Sequence, residues 1–232
     1  MKESIMNKLN SFLYKYKHAW ILSYFFVYLI WFVLLENRSY VKHTSIYITL
    51  DDWVPFCEYF IIPYMLWFAY IAITVLYFFF TNVSDYYKYC SFLFIGMTIC
   101  LIIYTIFPNE QNLRPTVFAN DNIFTQLVQG IYKTDTSTNV CPSIHCFNSL
   151  VAFIAIIKND KLKKKRSICI GSGVLTVLIC LSTVFLKQHS VFDGFCALAL
   201  TFILYPFIYK INYSDLFANI SKKEKTLQEN NS

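Results

Sequence analysis

The chain has 232 residues, of which 56% are hydrophobic, 19% aromatic and only 15% charged. Soluble domains carry about 45–50% apolar and about 25% charged residues, so this composition excludes a water-soluble globular domain. The net charge of +6 does not mark a nucleic-acid binder, because the positive residues sit between apolar runs and toward the ends, as membrane topology requires.

Lys2, Lys8, Lys15 and Lys17 precede the first apolar run, Ala19–Leu35. Glu36, Asn37 and Arg38 follow in place of a small-residue cleavage site, so the run reads as a retained first span rather than a signal peptide. A crossing helix needs about 20 mostly apolar residues. Five further runs qualify: Tyr59–Phe80, Ser91–Phe107, Ser143–Ile157, Ile168–Leu186 and Val191–Tyr209. Ser143–Ile157 is the shortest and most polar, and hydropathy alone also fits a re-entrant or interfacial helix.

Charge decides the count. Lys158, Lys161, Lys163, Lys164, Lys165 and Arg166 crowd one short loop and place it in the cytoplasm. With six spans, that loop shares its side with the basic amino end and with Lys210, Lys222, Lys223 and Lys225. Five spans would set the basic loop and the basic tail on opposite sides. The expectation is therefore an all-α, polytopic membrane protein, a six-helix transmembrane bundle in the cell membrane with both termini cytoplasmic. Residues 1–213 form one domain, and the polar stretch 214–232 is expected to be a disordered cytoplasmic tail. The eight cysteines lack zinc-type spacing, and most lie inside apolar runs, where a thiol behaves as a small hydrophobe. Cys57 and Cys141 both fall on the outer side, where a disulfide is chemically open to them but not expected.

Ionisable residues beside spanning segments are costly and are commonly functional. Three groups stand out on the expected outer side. After the third span comes Asn112-Leu113-Arg114-Pro115; Arg114 could present its guanidinium fork to phosphate oxygens, or snorkel to lipid headgroups. Opening the fourth span is Cys141-Pro142-Ser143-Ile144-His145. Pro142 stops a preceding helix, Ser143 is a good N-cap, and the uncapped N–H groups favour an anion. His145, in the first turn, can exchange a proton near neutral pH, although an ordinary cap with an interfacial His is the plainer alternative. Opening the sixth span is His189-Ser190-Val191-Phe192-Asp193. Residues four apart share a helix face, so Asp193 can orient His189, either for chemistry or as a structural pair.

These segments resemble the phosphatidic acid phosphatase type 2 superfamily of membrane lipid phosphatases and phosphotransferases. Arg114-Pro115 is similar to the end of its first motif, Pro142-Ser143-Ile144-His145 to its second, and Ser182, His189 and Asp193 to its third. The likeness runs from about the second span onward. It implies His189 as the nucleophile, His145 as general acid, Asp193 as the orienting carboxylate, and Arg114 and Ser143 as phosphate ligands. Three positions depart: Phe107 stands where the family has Lys, Ile144 where it has Gly, and Thr183 where it has Arg. Lys187, close to His189, could replace one lost cation. The inositol phosphorylceramide synthase-like branch shows similar looseness.

The expected activity is phosphate release from a lipid phosphate or pyrophosphate, such as phosphatidate, phosphatidylglycerol phosphate or a polyprenyl diphosphate, with no cofactor or metal. The expected partners are the lipid substrate and the bilayer, with no nucleic acid. The alternatives are a lipid phosphotransferase, with 116–142 as a lid, and a non-catalytic membrane protein that uses His189 and Asp193 structurally.

Overall fold

A computed structural model describes residues 14–38 and 40–210; the expected polar tail and the first two lysines lie outside the described residues. The described chain is mostly helical. A tight turn, Lys17–Ser23, leads into α1 (Tyr24–Glu36). There follow β1 (Thr44–Ser45), the short α2 (Leu50–Trp53), a turn at Glu58–Phe60, α3 (Ile61–Thr81), α4 (Val83–Ile106) and β2 (Asn109–Glu110). Next come α5 (Ile123–Thr134), α6 (Ile144–Lys158), α7 (Arg166–Phe185) and α8 (Val191–Lys210).

Five helical stretches are long and apolar enough to cross a membrane: Lys17–Glu36, Glu58–Thr81, Val83–Ile106, Arg166–Phe185 and Val191–Lys210. Their outward side chains are large and apolar, including Phe26, Leu34, Phe80, Phe202 and Phe207, each more than 60% exposed. Hydroxyl groups face inward instead. Tyr70 Oη meets Ser172 Oγ at 2.6 Å, and Thr176 Oγ1 donates to the Ser149 carbonyl at 3.3 Å. Apolar outside and hydrogen-bonded inside is the arrangement a bilayer selects, and it marks an integral membrane protein. All eight cysteines are free thiols.

α6 is the hub. It packs against α3, α4, α7 and α8, and Phe147 on it is fully buried against Gly96 of α4, where a β-carbon would come within 1.9 Å of the ring. At 15 residues α6 is about 22 Å long, short of the roughly 30 Å hydrocarbon core. α1 leans on α4, through Tyr24–Thr98 and Trp31–Thr105 hydrogen bonds.

Two elements differ from the sequence expectation. α4 begins at Val83 rather than Ser91: Asn82 caps it by accepting the Asp85 N–H, and the polar-looking lead carries Tyr86 and Tyr89, both buried in the core. α5 falls within the stretch expected to be a lid. Its amphipathic pattern, with Val128 buried and Ile123 and Leu127 exposed, is invisible to a search for long apolar runs.

The loops at one end of the bundle are stitched together beside the ends of α4 and α6. Thr44 and Ser45 pair in parallel with Asn109 and Glu110, and Glu110 bridges to Thr138. Asn109 is fully buried; its Oδ1 accepts the Val140 and Cys141 N–H groups, and its Nδ2 donates to the Phe107 and Cys141 carbonyls. This clamp fixes the chain entering Pro142 and Ser143.

Candidate active site

The two histidines arrive from different elements at the same end of the bundle. His145 lies in the first turn of α6, which Ser143 caps by accepting the Cys146 N–H at 3.3 Å. Ser143 is itself buried, with its N–H donated to the Asp193 carbonyl at 3.2 Å, which joins the starts of α6 and α8.

His189 is placed by the end of α7. The Lys187 N–H donates to the Val184 carbonyl and the Gln188 N–H to the Thr183 carbonyl, while Lys187 takes a left-handed backbone with φ of 51°. This is the Schellman pattern, with Lys where Gly is usual. It turns the chain sharply so that Gln188 and His189 point back over the bundle end. Asp51 anchors the far side of the turn: it is buried and accepts from Ser190 Oγ at 2.7 Å and from the Val191 N–H at 2.8 Å.

The rings of His145 and His189 stand edge to face, with centroids 5.7 Å apart. Asp193 is fully buried, and its Oδ2 accepts from His189 Nδ1 at 3.2 Å and from the Ser190 N–H at 3.0 Å. The carboxylate thereby holds the proton on Nδ1 and leaves the lone pair on Nε2. Burial disfavours the imidazolium of His189, but the Asp193 carboxylate, together with Cys146 and Asp135, outweighs it and lifts its pKa above the ordinary 6.5. His145 is boxed by Trp67 and Tyr64, at centroid distances of 4.4 and 4.8 Å.

Both histidines line a cavity of about 460 Å³. Its polar end holds His145, His189, Gln188 and Asp135. Thr134, Thr136, Thr138 and Asn139 add polar groups to the wall, and apolar surface comes from Phe25, Leu29 and Phe32 of α1 and from Met65 and Phe68 of α3. Phe25, Met65 and Phe68 are also about half exposed, so the cavity reaches the lipid-facing surface between these helices. Asp135 receives the Tyr64 hydroxyl at 3.3 Å; burial raises its pKa, opposed by His189 and Arg114.

The expected cationic ligands stand elsewhere. Arg114 is not among the residues lining the cavity. Its Nη1 donates to the Tyr132 and Asp135 carbonyls, its Nη2 to the Thr136 carbonyl at 2.8 Å and to Gln188 Oε1 at 2.5 Å, and the guanidinium lies over the Tyr132 ring. Lys187 Nζ turns away to the Asp51 carbonyl at 2.8 Å, and burial lowers its pKa against the pull of Asp51 and Asp52. Of the divergent positions, Phe107 sits at the end of α4 and Thr183 is buried with its hydroxyl donated to the Cys180 carbonyl. Ser182 is likewise buried and bonded to the Ile179 carbonyl.

Comparison of the chain with protein families, with curated proteins and with solved structures finds no match. The site therefore rests on its own geometry. Sequence reasoning overlooked Gln188, Tyr64 and Trp67 and took Asp135 only as a loop charge. For Gln188 the signal was adjacency to His189; for the aromatics there was none, because α3 is rich in aromatic residues throughout.

Proposed function

We propose that this chain is a membrane lipid phosphate or pyrophosphate phosphatase that works through a phosphohistidine on the extracytoplasmic face. The observation that carries the reading is the His189–Asp193 pair, with His145 opposite, in a cavity that also has apolar, lipid-facing walls from α1 and α3. Such a space suits a headgroup at the histidines with its chains along α1 and α3.

In the first step, the Nε2 lone pair of His189 attacks phosphorus while the bond to the lipid oxygen breaks. His145 passes a proton to that departing oxygen. Asp193 holds the Nδ1 proton and balances the positive charge that develops on His189. In the second step, water attacks the phosphohistidine. His145 takes the water proton, the P–N bond breaks, and its electron pair returns to Nε2. The chemistry asks for no metal.

A six-crossing topology belongs to the same reading. α6 is enclosed by four other helices, so its length need not match the hydrocarbon thickness, as a lipid-facing helix must. His145 then lies at one end of α6 and Lys158 with its basic turn at the other, which puts the site outside and both termini in the cytoplasm. A second reading, phosphoryl transfer to another lipid, draws support from the apolar lining, which favours an alcohol over water as acceptor.

The test is phosphate release by purified protein in detergent from phosphatidate, phosphatidylglycerol phosphate and a polyprenyl diphosphate, with chelator present. Release that survives chelator and is lost in His189→Ala is expected. Headgroup exchange without release would favour the transferase. Neither activity from a folded protein would leave His189 and Asp193 as a structural pair and refute the enzyme reading.

A further inference from the structure

Gln188 sits beside His189 in the cavity wall and is only 3% exposed. Arg114 Nη2 lies 2.5 Å from its Oε1, and because a guanidinium only donates, this contact fixes which end of the amide is oxygen. The other end, Nε2, is buried and has no hydrogen-bond partner. A buried donor left unmatched is costly and calls for an explanation. Arg114 cannot approach the cavity itself, because four contacts, three of them to backbone carbonyls, occupy both its terminal nitrogens. Lys187 is committed to the Asp51 carbonyl.

We propose that Gln188 Nε2 is the donor that binds a phosphoryl oxygen at this site, with Arg114 as a positioning residue that orients and polarises the amide. The inference rests on the phosphate reading above. Arg114 pulls electron density toward Oε1 and makes the Nε2 protons better donors, so positive character reaches the cavity without a cation entering it. The adjacent left-handed Lys187 aims the Gln188 side chain, and the neighbouring His189 supplies the nucleophile to the same phosphorus. The ligand is a phosphoryl group, carried either by a lipid or by free phosphate.

Gln188→Glu tests this, because it keeps an oxygen for Arg114 and removes the donor; it also adds a negative charge, so the neutral Gln188→Asn is measured beside it. Binding of two probes, orthophosphate and dioctanoyl phosphatidate, is measured in detergent, the lipid in a His189→Ala background to prevent turnover, with Tm recorded alongside. The expected result is an unchanged Tm and dissociation constants raised at least about tenfold. Gln188→Asn, an amide too short to span Arg114 and the phosphoryl oxygen, gives the same loss and serves if the Glu variant does not fold. Weakening of one probe alone supports the donor role and identifies the source of its phosphoryl group. Wild-type affinity in both folded variants overturns the proposal while leaving the phosphatase reading intact. A wild-type protein that binds neither probe and releases no phosphate overturns both.

Discussion

Replacing Asp193 by Asn removes one charge and almost no volume from the floor of the site. The carboxylate accepts two N–H groups on Oδ2, from His189 Nδ1 at 3.2 Å and from Ser190 at 3.0 Å, while Oδ1 is buried without a partner. An amide there either offers a neutral oxygen to Nδ1–H or turns its NH₂ toward the ring. The second arrangement moves the ring proton to Nε2 and removes the attacking lone pair. The comparable exchange in a Ser–His–Asp triad costs about 10⁴-fold in kcat, or ~5 kcal/mol. Here the His–Asp contact of 3.2 Å is longer than the roughly 2.7–2.9 Å of a strong charge-assisted bond, so a smaller loss, about 10²–10³-fold, is expected. The pH profile gives an independent readout. His189 has a pKa raised above 6.5, so kcat/KM should climb with pH through a limb above that value as the nucleophile loses its proton. In Asp193→Asn burial is opposed only by the weaker pull of Cys146 and Asp135, and the limb moves to lower pH. The same raised pKa contributes stability that is present below pH 6.5 and lost as pH rises through the folded value, so the variant should lose its advantage mainly on the acid side. The assay is phosphate release from dioctanoyl phosphatidate across pH 5–9, with Tm measured in parallel. A folded variant with kcat within about threefold of wild type and an unmoved limb would refute Asp193 as the group that orients His189.

Three further substitutions probe the scaffold by thermal unfolding in detergent. Gly96→Ala drives a methyl to 1.9 Å from the buried Phe147 ring, and a loss at the upper end of the overpacking range, ~3 kcal/mol, is expected; an unchanged Tm would mean the α4–α6 contact is looser than described. Asp51→Ala strands Ser190 Oγ and the Ile48 and Val191 N–H groups, and should cost about 2 kcal/mol or more, together with turnover, because Ser190 adjoins His189. Arg114→Ala should lower Tm by several degrees as well as abolish turnover, since a shift of about 2–4 °C per kcal/mol applies at this chain length. A residue that only contacted phosphate would lose activity at constant Tm, and that outcome would contradict the carbonyl-bound placement of Arg114.

The crossing helices were legible because hydropathy and charge act over many residues at once. Errors at single positions average out, and the basic run from Lys158 to Arg166 fixes one end of the bundle. The start of α4 was hidden for the opposite reason. Asp85 and Lys88 look like loop residues until tertiary packing buries Tyr86 and Tyr89 beside them, and no local pattern announces that packing. α5 was missed because an amphipathic surface helix carries a periodic signal rather than a long apolar run.

The site divides along the same line. His189 and Asp193 are four residues apart on one helix start, so their contact follows from helical geometry. The meeting of His145 with His189 needs α6 and α8 to begin at the same end, which the expected alternation of crossing direction implies and the contact between the two rings bears out. Arg114 is different. Its place shortly after α4 sets it at the same end as the histidines, but where its guanidinium points depends on which acceptors compete for it. The carbonyls of Tyr132, Asp135 and Thr136, gathered where α5 ends, offer fixed partners that a mobile substrate does not. Gln188, 74 residues along the chain, takes the remaining contact. An arginine satisfied in this way keeps its charge near the cavity while giving up direct reach, so the chemistry of the site is set by the residue that stands between the guanidinium and the histidines.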